Sequence, residues 1–170
     1  TWKGTFVATD DSTTQGQLTI DTAFKDLVNN IAATDGGLSN TIDVDTTNPT
    51  ATIDFTETAL NTTTNTSAVT VTFSEVPTGF DPANELVVEG GTLGEMTASG
   101  DGLTYTGTFT AAADSTANAV VRFAHNAAYA DANGNEGEIT AEDTITVDTL
   151  GTTATIAFTE SALDVNTNTS

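Results

Sequence analysis

TATIDFTETALNTTTNTS occupies residues 50–67, and TATIAFTESALDVNTNTS occupies residues 153–170, an offset of 103 positions. The same offset sets TWKGTF at 1–6 against TYTGTF at 104–109, and TIDVDT at 41–46 against TITVDT at 144–149. Three separated segments sharing one offset mark an internal repeat, so the unit is about a hundred residues long. That is too long for a solenoid repeat and is the size of a self-contained sandwich domain. A small gap brings Phe24-Lys25-Asp26 opposite Tyr129-Ala130-Asp131. The chain therefore divides into the C-terminal half of one unit at 1–47, a complete unit at 48–150, and the first strand of a third at 151–170.

Within the complete unit, alternating apolar and polar residues predict strands at 51–57, 68–74, 86–89, 104–110, 118–124 and 143–148, with another near 92–98. The inward positions are Ile53, Phe55, Val69, Val71, Phe73, Leu86, Val88, Leu93, Tyr105, Phe109, Val121, Phe123, Ile145 and Val147. Seven short strands with that many inward residues can close two sheets over one core. The expected fold is all-β, as immunoglobulin-like Greek-key β-sandwich repeats in tandem, with no helix required. Threonine is the commonest residue and Lys, Arg, Gln and Met are scarce, which favours strands and turns over helices.

Three basic residues against 24 acidic ones leave a net charge of -21. Neutralising phosphates needs Lys and Arg, so nucleic acid is excluded as a partner, and anionic membrane surfaces are disfavoured for the same reason. A charge this lopsided repels itself in the compact state, and divalent cations such as calcium are the natural remedy. There is no cysteine, so neither disulfides nor thiolate metal sites exist. No apolar run reaches the length of a membrane-spanning helix, so direct membrane insertion is not expected. Thr1-Trp2-Lys3 reads as neither a signal peptide nor an initiating methionine, and the chain is expected to begin mid-protein.

VTFSEVPTGFD at 71–81, GGTL at 90–93, TYTGTF at 104–109, DANGN at 131–135 and VDT at 147–149 together resemble the bacterial Ig-like tandem repeats of giant secreted adhesins, of the RTX and biofilm-associated type. The resemblance covers essentially all of the complete unit. It implies an extracellular location on the bacterial cell surface, export by type I secretion, and a calcium-stiffened stalk that holds a binding domain away from the cell. Its implied partners are adjacent repeats of the same chain and neighbouring copies in a filament. The half-unit departs from the pattern, with DLVNN at 26–30 where the complete unit has DANGN.

Asp131, Asn133 and Asn135 offer oxygen at alternate positions between the last two strands, which suits the all-oxygen shell of calcium. A tight turn is the alternative reading, since Asn133-Gly134 is itself a turn signal. In an immunoglobulin-like topology, Glu75, Asp101 and the Asp131 loop share the end where the first strand enters, and Asp43 and Asp45 arrive there from the preceding unit. Asp148, with Asp114 as a further candidate, would serve the following junction. Each carboxylate taken singly also fits an ordinary solvated surface position. Asn48-Pro49 makes a short stiff connector, whereas the next junction has Gly151-Thr152.

Enzyme chemistry is not expected. His125 is the only histidine, the carboxylates come with no aromatic-rich cleft for a sugar, and Trp2 and Tyr105 occupy equivalent repeat positions that suit packing. The alternatives to a stalk are a glycan- or host-surface-binding module and an accessory domain of a secreted polysaccharide-degrading enzyme.

Overall fold

The computed structural model describes residues 3–20, 24–31 and 39–159. Trp2 and residues 160–170 lie outside the described residues. In chain order the elements are β1 (Gly16–Thr19), β2 (Ser39–Ile42), β3 (Ala51–Phe55), β4 (Ala59–Asn61), β5 (Thr66–Phe73), the helical turn α1 (Pro82–Glu85), β6 (Leu86–Glu89), β7 (Gly91–Leu93), β8 (Thr97–Ala98), β9 (Thr104–Ala111), β10 (Ala119–Phe123) and β11 (Glu142–Asp148). From β3 onward they form two sheets, β4-β11-β10-β6 and β3-β5-β9-β7, with β8 also paired to β9. The fold is an all-β immunoglobulin-like sandwich, as the alternation predicts.

Period-two patterning places the core. Along β5, Ser67, Val69, Val71 and Phe73 are buried, and β9, β10 and β11 alternate in the same way. Ile53, Val69, Val71, Phe73, Phe109, Val121, Phe123, Ile145 and Val147 form the buried cluster, while Phe55, Leu86, Val88, Leu93 and Tyr105 pack against it partly exposed. Each such large apolar side chain contributes about 1.5–3 kcal/mol when fully buried.

The strand expected near 92–98 is divided into β7 and β8, and two larger features depart from the sequence reading. The first strand stops at Phe55, and the chain then crosses to the other sheet, where β4 runs parallel to β11 with Leu60 opposite Val147. Leu60 is one of the best-buried residues of the core. The second is α1, a single helical turn where none was expected. The side chain of Asp81 accepts from Ala83 N, Pro82 opens the turn, and Glu85 accepts from Asp81 N, so local capping chemistry fixes it.

Among the described residues of 3–47, the β1–β2 ribbon repeats the pairing of β10 with β11. Gly16 pairs with Ile42 in the β1–β2 ribbon as Ala119 pairs with Ile145 between β10 and β11. Thr46 Oγ1 accepts from Ser12 N and donates to the Thr9 carbonyl; 103 residues on, Thr149 Oγ1 accepts from Ser115 N and donates to the Ala112 carbonyl. Asp11 and Asp114 share the same positive φ, at 50° and 52°.

Candidate metal centre

The end of the sandwich that receives the connector from residues 3–47 is built on an aromatic cluster. Phe73 and Tyr129 pack with ring centroids 5.0 Å apart, and Phe80 and Phe123 close around them. Glu75 lies two residues beyond Phe73 and Asp131 two beyond Tyr129, so packing of the two rings sets the two carboxylates side by side. Thr78 zips the loops together: its N donates to the Ala130 carbonyl at 2.7 Å, and its hydroxyl donates to the carbonyls of Ala130 and Asp131.

Asp131 organises its loop. Its Oδ1 accepts from the backbone N of Asn133 and Asn135, each at 2.8 Å, and its Oδ2 accepts from Asn135 Nδ2 at 2.7 Å. Burial alone would raise its carboxyl pKa. The hydrogen bonds from the Asn135 side chain and from the backbone of Asn135, Asn133 and Gly134 outweigh burial and hold it below the ordinary range. Gly134 turns the chain at φ 92°.

Asp45 arrives from the connector and is held by that loop. Asn133 Nδ2 donates to Asp45 Oδ2 at 2.8 Å, and Asn135 Nδ2 donates to the Asp45 carbonyl at 3.1 Å. Carboxylate oxygens of Asp45, Glu75 and Asp131 consequently lie within 4.8 Å of one another. The pKa of Glu75 is raised by burial, and then by the negative charges of Asp131 and Asp45. Among the described residues the one ion pair is Arg122–Glu89, in the strands, so no basic side chain neutralises this group.

The connector is clamped beyond Asp45 as well. Pro49 is fully buried, and its carbonyl accepts from Glu138 N at 2.9 Å and from the Tyr129 hydroxyl at 3.3 Å; that hydroxyl also donates to the Glu138 carbonyl at 2.7 Å. Burial, and then the charge of Glu138, push the Tyr129 phenol up to about 12. A Cβ on Gly137 would collide with the Tyr129 ring, so this position needs glycine. Tyr129→Phe is expected to cost about 1 kcal/mol in urea unfolding while keeping the ring packing.

The sequence candidates thus separate. Asp45, Glu75, Asp131, Asn133 and Asn135 come together. Asp43 instead accepts from Gln15 Nε2, and Asp101 accepts from Ser99 Oγ and Leu103 N within its own turn, so neither joins the group. Asp148 repeats the local geometry of Asp45, accepting from Leu150 N at 3.2 Å as Asp45 accepts from Thr47 N. The positions missed by sequence reasoning are Thr78 and Tyr129, which orient the group without offering it a ligand, whereas Pro49 was legible as part of the stiff connector. His125 is exposed.

A family model described as a bacterial Ig-like domain matches residues 45–147. The chain belongs to the bacterial Ig-like domain family. The match opens at Asp45 and closes at Val147, so it spans both the sandwich and the connector residue that the Asp131 loop holds. Bacterial Ig-like domains of this kind are commonly surface-associated and generally non-catalytic. No helix among the described residues is long and apolar enough to cross a membrane. No curated protein and no solved structure matched the chain.

Proposed function

We propose that this Ig-like chain is a stretch of a structural extender, the stalk of a large bacterial cell-surface adhesin or filament that supports adhesion or biofilm formation. Units of about a hundred residues follow one another, and calcium at the seam between neighbours sets their angle. The observation that carries this reading is the capture of Asp45, which follows the closing strand of one half-unit, by Asn133 and Asn135 of the next sandwich, beside Glu75 and Asp131. The recurrence of strand register, threonine ties and positive-φ aspartates 103 residues apart supports the head-to-tail arrangement.

The donor set fits calcium. All ligating groups are oxygen, three are carboxylates, and a separation up to 4.8 Å is what two ligands on one ion with Ca–O of about 2.4 Å can span. Bound calcium supplies positive charge where three carboxylates otherwise repel. The chain's own residues do the rest: Asn133 and Asn135 hold Asp45 in place, Thr78 fixes Glu75 beside Asp131, and buried Pro49 limits the swing of the connector.

Calorimetry, melting and small-angle scattering, each with millimolar calcium or with a chelator, test the reading. Calcium is expected to bind, raise the melting temperature and make the scattering profile that of a stiffer, longer particle. Identical melting and scattering in both conditions would refute the calcium part.

A further inference from the structure

The loop at the seam carries a reactive pair that the metal reading leaves unused. Of all the asparagines in the chain, Asn133 alone is followed by glycine. Glycine has no Cβ to crowd its own backbone N, so this nitrogen reaches the carbon of the preceding side-chain amide more freely than that of any bulkier residue. The fold keeps that freedom. Asn133 and Gly134 are both exposed, Gly134 holds φ at 92°, and a Cβ added there would meet nothing within 4 Å. The half-unit loop, which keeps the same frame around Asp26, has Val28 and Asn29 at these two positions and lacks the pair.

We propose that Asn133-Gly134 is a self-modification site, at which the Asn133 side-chain amide is hydrolysed in the folded chain and the tie to Asp45 is lost with it. Gly134 N attacks Asn133 Cγ, the Cγ–Nδ2 bond breaks, and ammonia leaves, the proton of Gly134 N passing through solvent to the departing nitrogen. The attack is intramolecular, so no enzyme has to bring the two groups together. Water then opens the cyclic imide at one carbonyl or the other, leaving an aspartate or an isoaspartate at position 133. One water is consumed and one ammonia released, with no oxidant or cofactor. The backbone hydrogen bonds of Asn133 and Gly134 to the Asp131 carboxylate must open first, so local opening of the loop sets the rate.

The product changes the seam. Asn133 Nδ2 donates to Asp45 Oδ2 at 2.8 Å. An ionised aspartate has no hydrogen to donate and sets a further carboxylate against Asp45, beside Glu75 and Asp131. Isoaspartate carries the same charge and also lengthens the main chain by a methylene, which displaces Asn135 N from the Asp131 Oδ1 that accepts from it. Either product replaces an attraction on the connector by a repulsion. That consequence rests on the seam geometry above, the conversion does not, and neither needs calcium.

The whole chain is incubated in chelator at mildly alkaline pH, digested and mapped by mass spectrometry, with heavy-oxygen water marking each new carboxylate. Conversion at position 133 is expected ahead of every other asparagine. N133Q, in which the attack would have to close a larger ring, is expected to stay unconverted there over the same period. Chain held unfolded in urea is the reference. Conversion of Asn133 in urea with none in the folded chain, or another asparagine converting first, would overturn the proposal. The effect on the seam is read by thermal melting in chelator. N133D is expected to melt below N133A, because both lose the tie and only the former adds charge, and the gap is expected to close in concentrated salt. N133D melting with or above N133A would overturn the loosening of the seam while the mass map still decides the conversion.

Discussion

Leu60→Ala is expected to lower the unfolding free energy by about 3 kcal/mol, within the range of about 2–5 kcal/mol seen for buried Leu-to-Ala changes. The residue is 1% exposed and is the one large apolar side chain of β4, so truncation opens a cavity and loosens the strand that runs beside β11. A domain of this size has roughly 5–15 kcal/mol of stability, so the loss is a substantial fraction of it. At about 4–8 °C per kcal/mol, the melting temperature falls by roughly 12–24 °C, and thermal melting in chelator checks it. If Leu60→Ala melts with the wild type, the crossing of the first strand between sheets contributes nothing and the core closes without β4.

Leu60 also shows where sequence reading reaches its limit. The strands β5, β9, β10 and β11 are legible because one face of each is buried and the pattern has period two. Residues 56–66 contain one large apolar residue among threonines and asparagines, so no alternation betrays β4. The turn α1 was written in Asp81-Pro82, a capping residue before proline, but four residues are too few for helical periodicity to show. Tyr129 escaped for a related reason: it lies in a loop, and its burial follows from tertiary contacts with Phe73, Phe80 and Phe123.

The candidate site was legible in the same partial way. Asp131, Asn133 and Asn135 stand out by spacing, and topology brings Glu75 and Asp45 to the same end. Spacing alone does not say which of two alternating carboxylates turns towards the next sandwich. Asp43 is engaged by Gln15 across the β1–β2 ribbon, whereas Asp45 lies beyond β2, where the asparagines reach it. Likewise Asp101 is spent on its own turn, a local competition between side chain and backbone. The half-unit loop keeps the frame of the Asp131 loop, since Asp26 accepts from Val28 N, Asn30 N and Asn30 Nδ2, and Asn29 takes the positive φ of Gly134. The departure there removes only the side chain equivalent to Asn133, replaced by Val28.

Glu75→Gln is expected to move stability in opposite directions with and without calcium. In chelator at neutral pH the ionised Glu75 is penalised by burial and by the charges of Asp131 and Asp45, so a neutral isostere should melt a little higher, by a few tenths of a kcal/mol to about 1 kcal/mol. In calcium the same change removes a ligand. Saturation at a hundred times the dissociation constant contributes about 2.7 kcal/mol to the native state, and each tenfold loss of affinity removes about 1.4 kcal/mol of it. The variant should therefore gain in chelator and lose in calcium. Acid titration separates the two carboxylates further. The folded pKa of Glu75 is raised, so in chelator its penalty is full above that pKa and is relieved as pH falls through it. The folded pKa of Asp131 is lowered, so its contribution is full above the unfolded value and is lost as pH falls through the folded one. Stability in chelator should thus rise slightly on mild acidification before falling at lower pH, and Glu75→Gln should shrink the rise while leaving the fall. A variant that is less stable than the wild type in both chelator and calcium would show that Glu75 holds the loop by packing and not by charge.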